Sequence, residues 1–474
     1  MEQFVPGRLS ILIPVYNEEE YLATLLTRVL NAPLPEGMDR ELIVVDDGSK
    51  DGSREVCEEF AARYPTIIQL IVHERNQGKG AAIRTAVEHA KGEFCIIQDS
   101  DLEYNPREYS AILGPLREGA ADVVFGSRFM AAGERRVLYF WHSVGNRLLT
   151  TLCNVFADLN LTDMETCYKA FRTSLIQSIP IRSNRFGFEP EITIKLAQRQ
   201  ARIFETPVSY HGRTYEEGKK IGFRDAVQAL YVILKTALSR DIYKDSGPET
   251  LDALSAAPKF NQWMADAIRP YLGLAIMEIG AGIGNLTRWL APRRKQYIAT
   301  DIDHEHLARL NSRFQHRPNV HVRFVDLSDR CCFEEFADTL ETVICLNVLE
   351  HIQDDHSGLR NIHSILCPGG RAIILVPHRQ QAYGTLDAAL GHYRRYSESE
   401  LREKMERAGF QVEDVLMFNR VSYPAWFLSG RVFKSTTLGR RQMRLFDRFV
   451  WLWRKIDRNL PWPATSIIAV GIKR

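Results

Sequence analysis

The sequence predicts an α/β protein of two doubly wound domains, each a parallel sheet with helices on both faces. The length of 474 residues is more than one hydrophobic core ordinarily serves. Short apolar runs alternate with helical patterns in both halves, which is typical of such sheets. The segment 239–258, with its charges, Ser, Gly and Pro, interrupts the alternation. We therefore expect domains over 1–240 and 259–474, joined by a linker over 241–258.

The composition is that of a soluble globular protein, with 45% hydrophobic and 25% charged residues. A formal net charge of +2 gives no electrostatic reason to expect a nucleic-acid partner. The eight cysteines contain no C-x-x-C pair, so we expect neither disulfides nor a zinc site, which fits a reducing cytosol. The sequence contains no signal peptide pattern and no apolar run of about 18 residues, so we expect a cytoplasmic protein.

Apolar runs in the first half predict strands that end in polar residues. The predicted strands are 9–13, 41–45, 67–72 and 94–97, and the predicted helices between them are 19–30, 53–64 and 81–90. Ligands of such sheets bind beyond the carboxyl ends of the strands. Asn17, Asp46, Asp47 and the acidic segment 99–103 all follow predicted strands, so we expect a polar site at that edge.

The acidic segment follows the run 94–97 directly. Asp99, Asp101 and Glu103 alternate, so in extended chain they share one face, where they repel one another unless a cation lies between them. Hard oxygen ligands suit Mg²⁺ or Mn²⁺, which usually also bind phosphate. The segment predicts a divalent site for a nucleotide diphosphate. The alternative is an acidic turn without a metal, capped by Asn105 and Pro106.

Five motifs mark the first half. They are IPVYNE at 13–18, VDDGS at 45–49, NQGKG at 76–80, DSDLE at 99–103 and GSR at 126–128. With the run 210–222, they resemble the family 2 glycosyltransferases over about residues 7–225. The last motif and that run are similar to the polyprenyl-phosphate mannosyl- and glucosyltransferases, the dolichol-phosphate mannose synthase type. The resemblance implies a GT-A fold, a nucleotide-sugar donor such as GDP-mannose or UDP-glucose, and a polyprenyl-phosphate acceptor.

The resemblance also implies roles for single residues. Those implied for the nucleotide sugar are Pro14, Tyr16, Glu18, Asp47, Asp99 and Lys220. Those implied for a Mg²⁺ or Mn²⁺ ion are Asp99, Asp101 and Glu103. Asp101, Arg128 and Arg213 would be catalytic, the two arginines by pairing with donor and acceptor phosphates, since guanidinium matches phosphate oxygens.

The acceptor decides whether the first domain needs a general base. A phosphate acceptor is already an anionic nucleophile and needs alignment rather than a base. The resemblance implies inversion at the anomeric carbon by direct displacement. A sugar hydroxyl would need a base, for which Asp163 is the candidate. The segment 162–170 departs from the family pattern, which leaves both acceptors open.

Two apolar segments of the first half predict either a membrane-surface contact or ordinary packing helices. They are 137–161 and 226–238, and they are interrupted by Arg147 and Lys235. Because amphipathic helices can lie in the membrane interface, a peripheral position on the cytoplasmic face is one expectation.

The strand and helix alternation restarts in the second half. The predicted strands are 274–279, 296–300, 322–326, 342–346 and 371–376, with a helix over 285–290. The run 280–284, GAGIG, allows a tight turn close to a ligand, although dinucleotide sites share this pattern. Asp301 follows the second of these strands, where an acid can bind ribose hydroxyls.

These features, with NVLEHI at 347–352 and CPGG at 367–370, resemble the class I S-adenosylmethionine-dependent methyltransferases over about residues 259–474. The resemblance implies a Rossmann-like fold and S-adenosylmethionine as cofactor. The residues implied for the cofactor are Glu278, Gly280, Gly282, Gly284, Asp301, Asp326 and Asn347. A nicotinamide dehydrogenase is the disfavoured alternative, because the last two motifs belong to the methyltransferase pattern.

Two histidines of the second half are candidates for chemistry. His351 is the candidate base for a hydroxyl acceptor because the ordinary histidine pKa is near neutral, and its alternative role is structural. His392 and the following segment 393–396 are expected to contact the substrate.

A long insert, 418–464, separates the last two predicted strands, 407–417 and 465–472. It contains four of the seven tryptophans and many arginines. This composition suits a membrane interface, a lid over the methyl acceptor or a contact with the first domain.

The sequence therefore predicts a fused enzyme. One domain would transfer a hexose from a nucleotide sugar to polyprenyl phosphate with a divalent metal, and the other a methyl group from S-adenosylmethionine to an unidentified acceptor. The alternative is a glycosyltransferase acting on a sugar hydroxyl, with the C-terminal half a non-catalytic cofactor-binding docking module.

Overall fold

The computed structural model describes residues 4–130, 140–185, 187–212, 223–239, 241–244, 246–432, 434 and 439–474. The chain divides into two compact units, which we call the first unit (Met1–Lys244) and the second unit (Asp245–Arg474). In the described residues each unit contains one seven-stranded mixed sheet. The predicted pair of doubly wound α/β folds is confirmed.

The strands of the first unit are β1 Val5–Val15, β2 Asp39–Asp46, β3 Ile68–Val72, β4 Gly92–Ile97, β5 Val123–Ser127, β6 Lys169–Arg172 and β7 Ile203–Pro207. Their order in the sheet is β3-β2-β1-β4-β6-β5-β7. All neighbours are parallel except β6, which is antiparallel to β4 and β5. The sequence predicted only parallel neighbours. It did not reveal the antiparallel strand β6, because a strand of four residues is too short to show a period in its apolar residues.

The helices of the first unit are α1 Glu19–Leu30, α2 Ser53–Arg63, α3 Lys79–His89, α4 Tyr109–Arg117, α5 Phe140–Ala157, α6 Thr173–Ser178, α7 Phe188–Gln198 and α8 Phe223–Leu238. Alternate residues of β1 enter cores on opposite faces of the sheet. Ile11 and Ile13 pack with α1 and α4, whereas Leu12 packs with Ile83 of α3. This two-sided burial explains why the run 9–13 is continuously apolar.

The strands of the second unit are β8 Ala275–Ile279, β9 Gln296–Asp301, β10 Val320–Phe324, β11 Leu340–Leu346, β12 Leu366–Pro377, β13 Phe410–Phe418 and β14 Ser466–Lys473. Their order is β10-β9-β8-β11-β12-β14-β13, and β14 is antiparallel to both neighbours. The helices are α9 Ser246–Ser255, α10 Pro258–Ile268, α11 Thr287–Leu290, α12 His304–Phe314, α13 Asp355–Ile365, α14 Thr385–Ala389, α15 Glu398–Arg407, α16 Tyr423–Phe427, α17 Arg440–Arg448 and α18 Val450–Ile456.

The predicted linker 241–258 is in large part helix. It contains α9, which is grouped with the second unit, and Leu251 of this helix lies beside Gly282. The sequence suggested a linker because Ser246, Gly247 and Pro248 indicate a break. Proline in the first turn is compatible with a helix, and packing of one apolar face stabilises it here.

The described residues include no helix that is long and apolar enough to cross a membrane. All eight cysteines are described, and all are free thiols in this structure.

Candidate active sites

Asp47, directly after β2, shapes the loop that precedes α3. One of its carboxylate oxygens lies 2.7 Å from Nδ1 of His73 and accepts from the N–H of Gln77 at 3.0 Å. The other oxygen accepts from the N–H of Gly78 at 2.7 Å. Gly78 has a φ of 102°, and a Cβ there would lie 2.3 Å from the carbonyl oxygen of Asn184. Glycine is therefore required, and Asp47 acts first as the organiser of this loop.

The loop after β1 is tied to the loop after β2. Asn17, with a φ of 53°, donates its backbone N–H to Oγ of Ser49 and accepts through Oδ1 from the N–H of Lys50. Pro14 is buried in β1, and Tyr16 and Glu18 are half-buried in the loop that follows it. These predicted nucleotide-binding residues thus border the same sheet edge as Asp47.

Lys79, at the start of α3, pairs with Asp99 at the end of β4. Its Nζ lies 2.8 Å from Oδ1 of Asp99, 2.7 Å from Sγ of Cys167 and 3.5 Å from Oε1 of Glu189. Burial opposes the charge of Lys79, but Asp99 and its other neighbours outweigh burial and raise its pKa well above the usual range. Lys79 lies within the motif NQGKG, but the motif alone assigned it no role. The sequence signal for a functional role of Lys79 was its position just before the predicted helix 81–90.

The other two acids of the predicted metal site have protein partners. Oδ1 of Asp101 accepts from the N–H of Glu103 at 3.2 Å, and Oε2 of Glu103 accepts from the hydroxyl of Tyr210 at 2.8 Å. Within the part of the chain that the structure describes, Asp99, Asp101 and Glu103 are not gathered into one three-ligand set. The three-acid metal site therefore stays a prediction, and in this structure the ammonium of Lys79 supplies positive charge beside Asp99.

Arg128 and Asp163 form a bidentate ion pair in which Asp163 is fully buried and Arg128 is largely covered. Nε and Nη2 of Arg128 donate to the two oxygens of Asp163 at 2.6 and 2.7 Å, and the amide of Asn146 donates to the same carboxylate at 3.1 Å. The guanidinium also lies 5.0 Å from the ring centre of Tyr210. Burial raises the pKa of Asp163, but Arg128 outweighs burial and lowers it. This carboxylate is closed to a substrate and is a poor candidate for the predicted base.

Two predicted residues of this site, Arg213 and Lys220, lie outside the described residues. Their roles stay predictions.

The second unit contains a cavity of about 1310 Å³ at the carboxyl ends of its strands. Gly280, Gly282 and Gly284 all have positive φ, between 56° and 79°. A Cβ on Gly280 would lie 2.2 Å from Cγ2 of Val348, so only glycine lets the loop approach β11. Gly280 and Gly282 line the cavity, whereas Gly284 packs against Phe314 of α12.

Asp301, at the end of β9, is held by three hydrogen bonds. It accepts from the N–H groups of Gly282 and Asp303 at 2.8 and 2.9 Å, and Nδ1 of His306 lies 3.2 Å away. Burial raises the pKa of Asp301, but His306 outweighs burial and lowers it. His306, which sequence reasoning missed, lines the cavity too. Its signal was its position one turn after the acid.

Three further predicted cofactor residues line the same cavity. Glu278 accepts from the hydroxyls of Thr287 and Tyr297 at 2.5 and 2.9 Å, and burial raises its pKa to about 7. Asp326 accepts from the N–H of Ser328 at 2.8 Å. Asn347 follows β11 with a φ of 55°. The structure thus brings together every predicted cofactor residue except Gly284.

Comparisons with known proteins assign a family to each half. Residues 10–179 match the Glycosyl transferase family 2, and residues 277–372 match the family described as Methyltransferase domain. The chain joins a family 2 glycosyltransferase domain to a methyltransferase domain. The two matches fall in the first and second units respectively.

Individual relatives cover part of the chain. Undecaprenyl-phosphate 4-deoxy-4-formamido-L-arabinose transferase of Edwardsiella ictaluri is 30% identical over 47% of this chain and 66% of its own length. Dolichol-phosphate mannosyltransferase of Pyrococcus furiosus is 24% identical over 45% of this chain and 60% of its own. The chain thus spans slightly less than two thirds of these relatives. A solved S-adenosylmethionine-dependent methyltransferase from Mesorhizobium loti covers 45% of this chain and 98% of its own, with 16% identity and a TM-score of 0.33.

In the methyltransferase domain, the role of His351 as a base stays a prediction. His351 lines the cavity. Burial and the neighbouring His392 lower its pKa from the ordinary, near-neutral value to about 4. The rings of His351 and His392 lie 4.8 Å apart, and Nδ1 of His392 is 3.0 Å from Oδ1 of Asp387. Of the predicted substrate-contact segment, Arg395 also lines the cavity, whereas Tyr396 is buried beneath it.

Described residues of the insert 418–464 line the methyltransferase cavity. Trp426, Phe446 and Trp453 line it, together with other residues of α16, α17 and α18. Trp451 stays 59% exposed, so the tryptophans have different environments. Of the three expectations for the insert, this geometry favours a lid over the methyl acceptor.

Proposed function

We propose that the glycosyltransferase domain transfers a hexose from a nucleotide sugar to a polyprenyl phosphate. The observation that carries this proposal is the Arg128–Asp163 ion pair. Asp163 is the residue predicted to act as the base for a hydroxyl acceptor, and its carboxylate is already engaged by Arg128. An acceptor that brings its own negative charge does not need that base. The named acceptors of the two relatives, an undecaprenyl phosphate and a dolichol phosphate, support the same choice.

The donor nucleotide would lie against Pro14, Tyr16, Glu18 and the loop that Asp47 organises. We propose that Asp99 and Asp101 hold a Mg²⁺ or Mn²⁺ ion there without Glu103, since Mg²⁺ commonly binds one or two carboxylates together with substrate phosphates. Such an ion supplies positive charge to the leaving diphosphate. Lys79 can release Asp99 without losing an ionic partner, because Glu189 lies 3.5 Å from its Nζ.

The lipid part of the acceptor would meet an apolar face of the same domain, which we call the α5–α8 face. Its exposed apolar side chains on α5 are Phe140, Trp141, Val144, Leu148, Val155 and Phe156, and those on α8 are Val227, Leu230, Tyr231, Leu234 and Leu238. They recur at helical spacing, and α5 contacts α8. Arg147 and Lys235, both exposed, supply positive charge for anionic head groups. We infer a peripheral contact with the membrane surface.

The methyltransferase domain would transfer a methyl group from S-adenosylmethionine to an acceptor held under the insert. Its cavity of about 1310 Å³ exceeds the usual range of roughly 300 to 1,000 Å³ for ligand sites, which leaves room for a substrate beside the cofactor. Asp301 and Asn347 would contact the cofactor. A cavity with space for a substrate beside the cofactor favours a catalytic domain over a non-catalytic docking module.

The test is a product assay by mass spectrometry on the full chain. Purified protein is mixed with Mg²⁺ or Mn²⁺, a short polyprenyl phosphate and a panel of nucleotide sugars, with and without S-adenosylmethionine. We expect a lipid heavier by one hexose, and loss of that product with a chelator. Intact nucleotide binding without a lipid product from any donor would contradict the polyprenyl acceptor. An additional methyl mass would show that both domains act on one molecule.

A further inference from the structure

A group of three metal-ligand side chains lies in the wall of the methyltransferase cavity. Glu350 and His351 follow β11, and His392 lies between α14 and α15. One ligand atom from each comes within 4.8 Å of the others, and no other set of this kind occurs among the described residues. His351 and His392 both line the cavity.

The carboxylate of Glu350 is the second, independent observation. Its side chain is fully buried, and neither oxygen has a hydrogen-bond partner in the described structure. Its nearest recorded partner atom is Nε2 of His392, 3.9 Å from Oε1, which is too far for a hydrogen bond. A buried carboxylate is costly unless it is paired, stays protonated or coordinates a metal, so the unpartnered carboxyl of Glu350 is available as a metal ligand.

Both histidine rings already have a protein partner that orients them. Nδ1 of His392 lies 3.0 Å from Asp387, whose carboxylate also accepts from Nε of Arg395 at 2.8 Å. The ring of His351 hydrogen-bonds to the backbone of Gly391. Histidines that bind metals usually donate their second N–H to a carboxylate or a carbonyl in this way. The free nitrogen of His392 therefore faces Glu350.

We propose that Glu350, His351 and His392 bind one divalent transition-metal ion, with Zn²⁺ as its representative. Two imidazoles and one carboxylate suit Zn²⁺ and its neighbours, whereas Mg²⁺ prefers oxygen ligands alone. Bond lengths of about 2.0 to 2.2 Å require the ligand atoms to close on the ion by roughly 1 Å, a distance that side-chain rotation covers. Three protein ligands leave a position open toward the cavity, as in catalytic rather than structural sites.

This position identifies the class of methyl acceptor, an inference that rests on the proposed methyltransferase function. A hydroxyl bound at the open position has a lowered pKa and releases its proton to solvent water. Its oxygen then forms a bond to the methyl carbon of S-adenosylmethionine. The carbon–sulfur bond breaks, and its electron pair stays on sulfur as the neutral thioether. The acceptor is therefore a hydroxyl, and the product is a methyl ether.

The test measures Zn²⁺ binding by calorimetry on the full chain. Asp99→Asn and Asp101→Asn are present throughout, so that the carboxylates of the first unit do not contribute. The protein is first stripped with a chelator. We expect about one Zn²⁺ per chain, and at least about 100-fold weaker binding when Glu350→Gln and His392→Gln are added. His363→Gln, a histidine of the same unit outside the cavity, is the matched control and should leave the affinity unchanged.

Binding of S-adenosylmethionine to the same proteins reports whether the variants are folded. If the Glu350 and His392 variant no longer binds it, His351→Asn replaces that variant, and we expect at least about tenfold weaker Zn²⁺ binding. The absence of Zn²⁺ binding in the parent, or an unchanged affinity in the folded variant, overturns the site. A parent that binds Zn²⁺ but not S-adenosylmethionine instead contradicts the proposed function and leaves the site standing.

Discussion

The properties of several charged residues in both units depend on the residues they pair with rather than on their own side-chain chemistry alone. Arg128 and Asp163 illustrate this in the glycosyltransferase domain, because Asp163 is fully buried and Arg128 is its principal ionic partner. A buried pair adds little net stability while both partners are present, yet either partner alone is a buried, uncompensated charge. Such residues are sensitive to substitution whatever their catalytic role.

We expect Arg128→Leu to lower the free energy of unfolding by about 3 to 5 kcal/mol. Urea denaturation of the full chain measures this. Arg182→Leu is the matched control, because Arg182 pairs with Asp241 in the same geometry but is 69% exposed, and its loss should cost under about 1 kcal/mol. Equal losses in the two variants would show that burial of the Arg128 pair carries no special cost.

Glu278 predicts a pH dependence in the methyltransferase domain. Burial raises its pKa from 4.5 to about 7, so the folded state keeps a proton that the unfolded state loses above pH 4.5. Stability should therefore fall as the pH rises from 4.5 to 7, by about 3 kcal/mol for this group, and change no further above it.

Urea midpoints between pH 5 and 8 for the wild type and Glu278→Gln measure this contribution. Glutamine cannot ionise, so the variant should lose this part of the pH slope and become relatively more stable toward pH 7. Parallel curves for the two proteins would mean that Glu278 does not titrate with a raised pKa.

At the scale of elements, the same kind of helix serves two purposes. The apolar face of α1 is buried against the sheet, with Leu22, Leu25 and Leu26 fully covered. The outer stripe of α5 and α8 is apolar and exposed. An apolar area of this kind is expected to meet a partner, and the membrane surface is the partner proposed for the α5–α8 face.

We expect the full chain to sediment with vesicles that contain anionic lipid, and Trp141→Ser with Leu238→Ser to reduce the bound fraction several-fold. Both side chains are among the most exposed on the α5–α8 face, at 79% and 86%. Phe204→Ser is the control, because Phe204 is an exposed aromatic residue that lies on β7 rather than on α5 or α8. A similar loss in all three positions would argue against a specific face.

At the scale of the whole molecule, the chain contains two units with separate cores and separate sites. The residues that border the nucleotide loop all come from the first unit, and those that line the large cavity all come from the second. Neither site requires a described residue of the other unit.

We therefore expect each unit to function when it is produced alone. A fragment of residues 1–244 should bind nucleotide, and a fragment of residues 245–474 should bind S-adenosylmethionine, each within about threefold of the full chain by calorimetry. The full chain is the reference for both. A soluble fragment that has lost its ligand would show that the other unit completes its site.

Patterns along the chain were enough to predict the two α/β folds, the division into glycosyltransferase and methyltransferase domains, and the sheet edges that carry polar residues. Apolar period and motif spacing are local properties, so they can be recognised without knowing which strands are neighbours. The Gly280–Gly284 loop belongs here, because its positive φ angles are a property of the loop itself.

Which charged side chains pair with one another could be seen only in the folded protein. Lys79 and Asp99, Arg128 and Asp163, and Glu350 and His392 come from segments between 20 and 42 residues apart. Three alternating acids predicted a shared cation, and their spacing could not reveal that Lys79 lies beside Asp99 or that Tyr210 donates to Glu103. Likewise α9 looked like a linker until packing stabilised it. These pairs could not be predicted because the energies of burial and of ion pairing depend on neighbours in space, which the order of residues along the chain does not reveal.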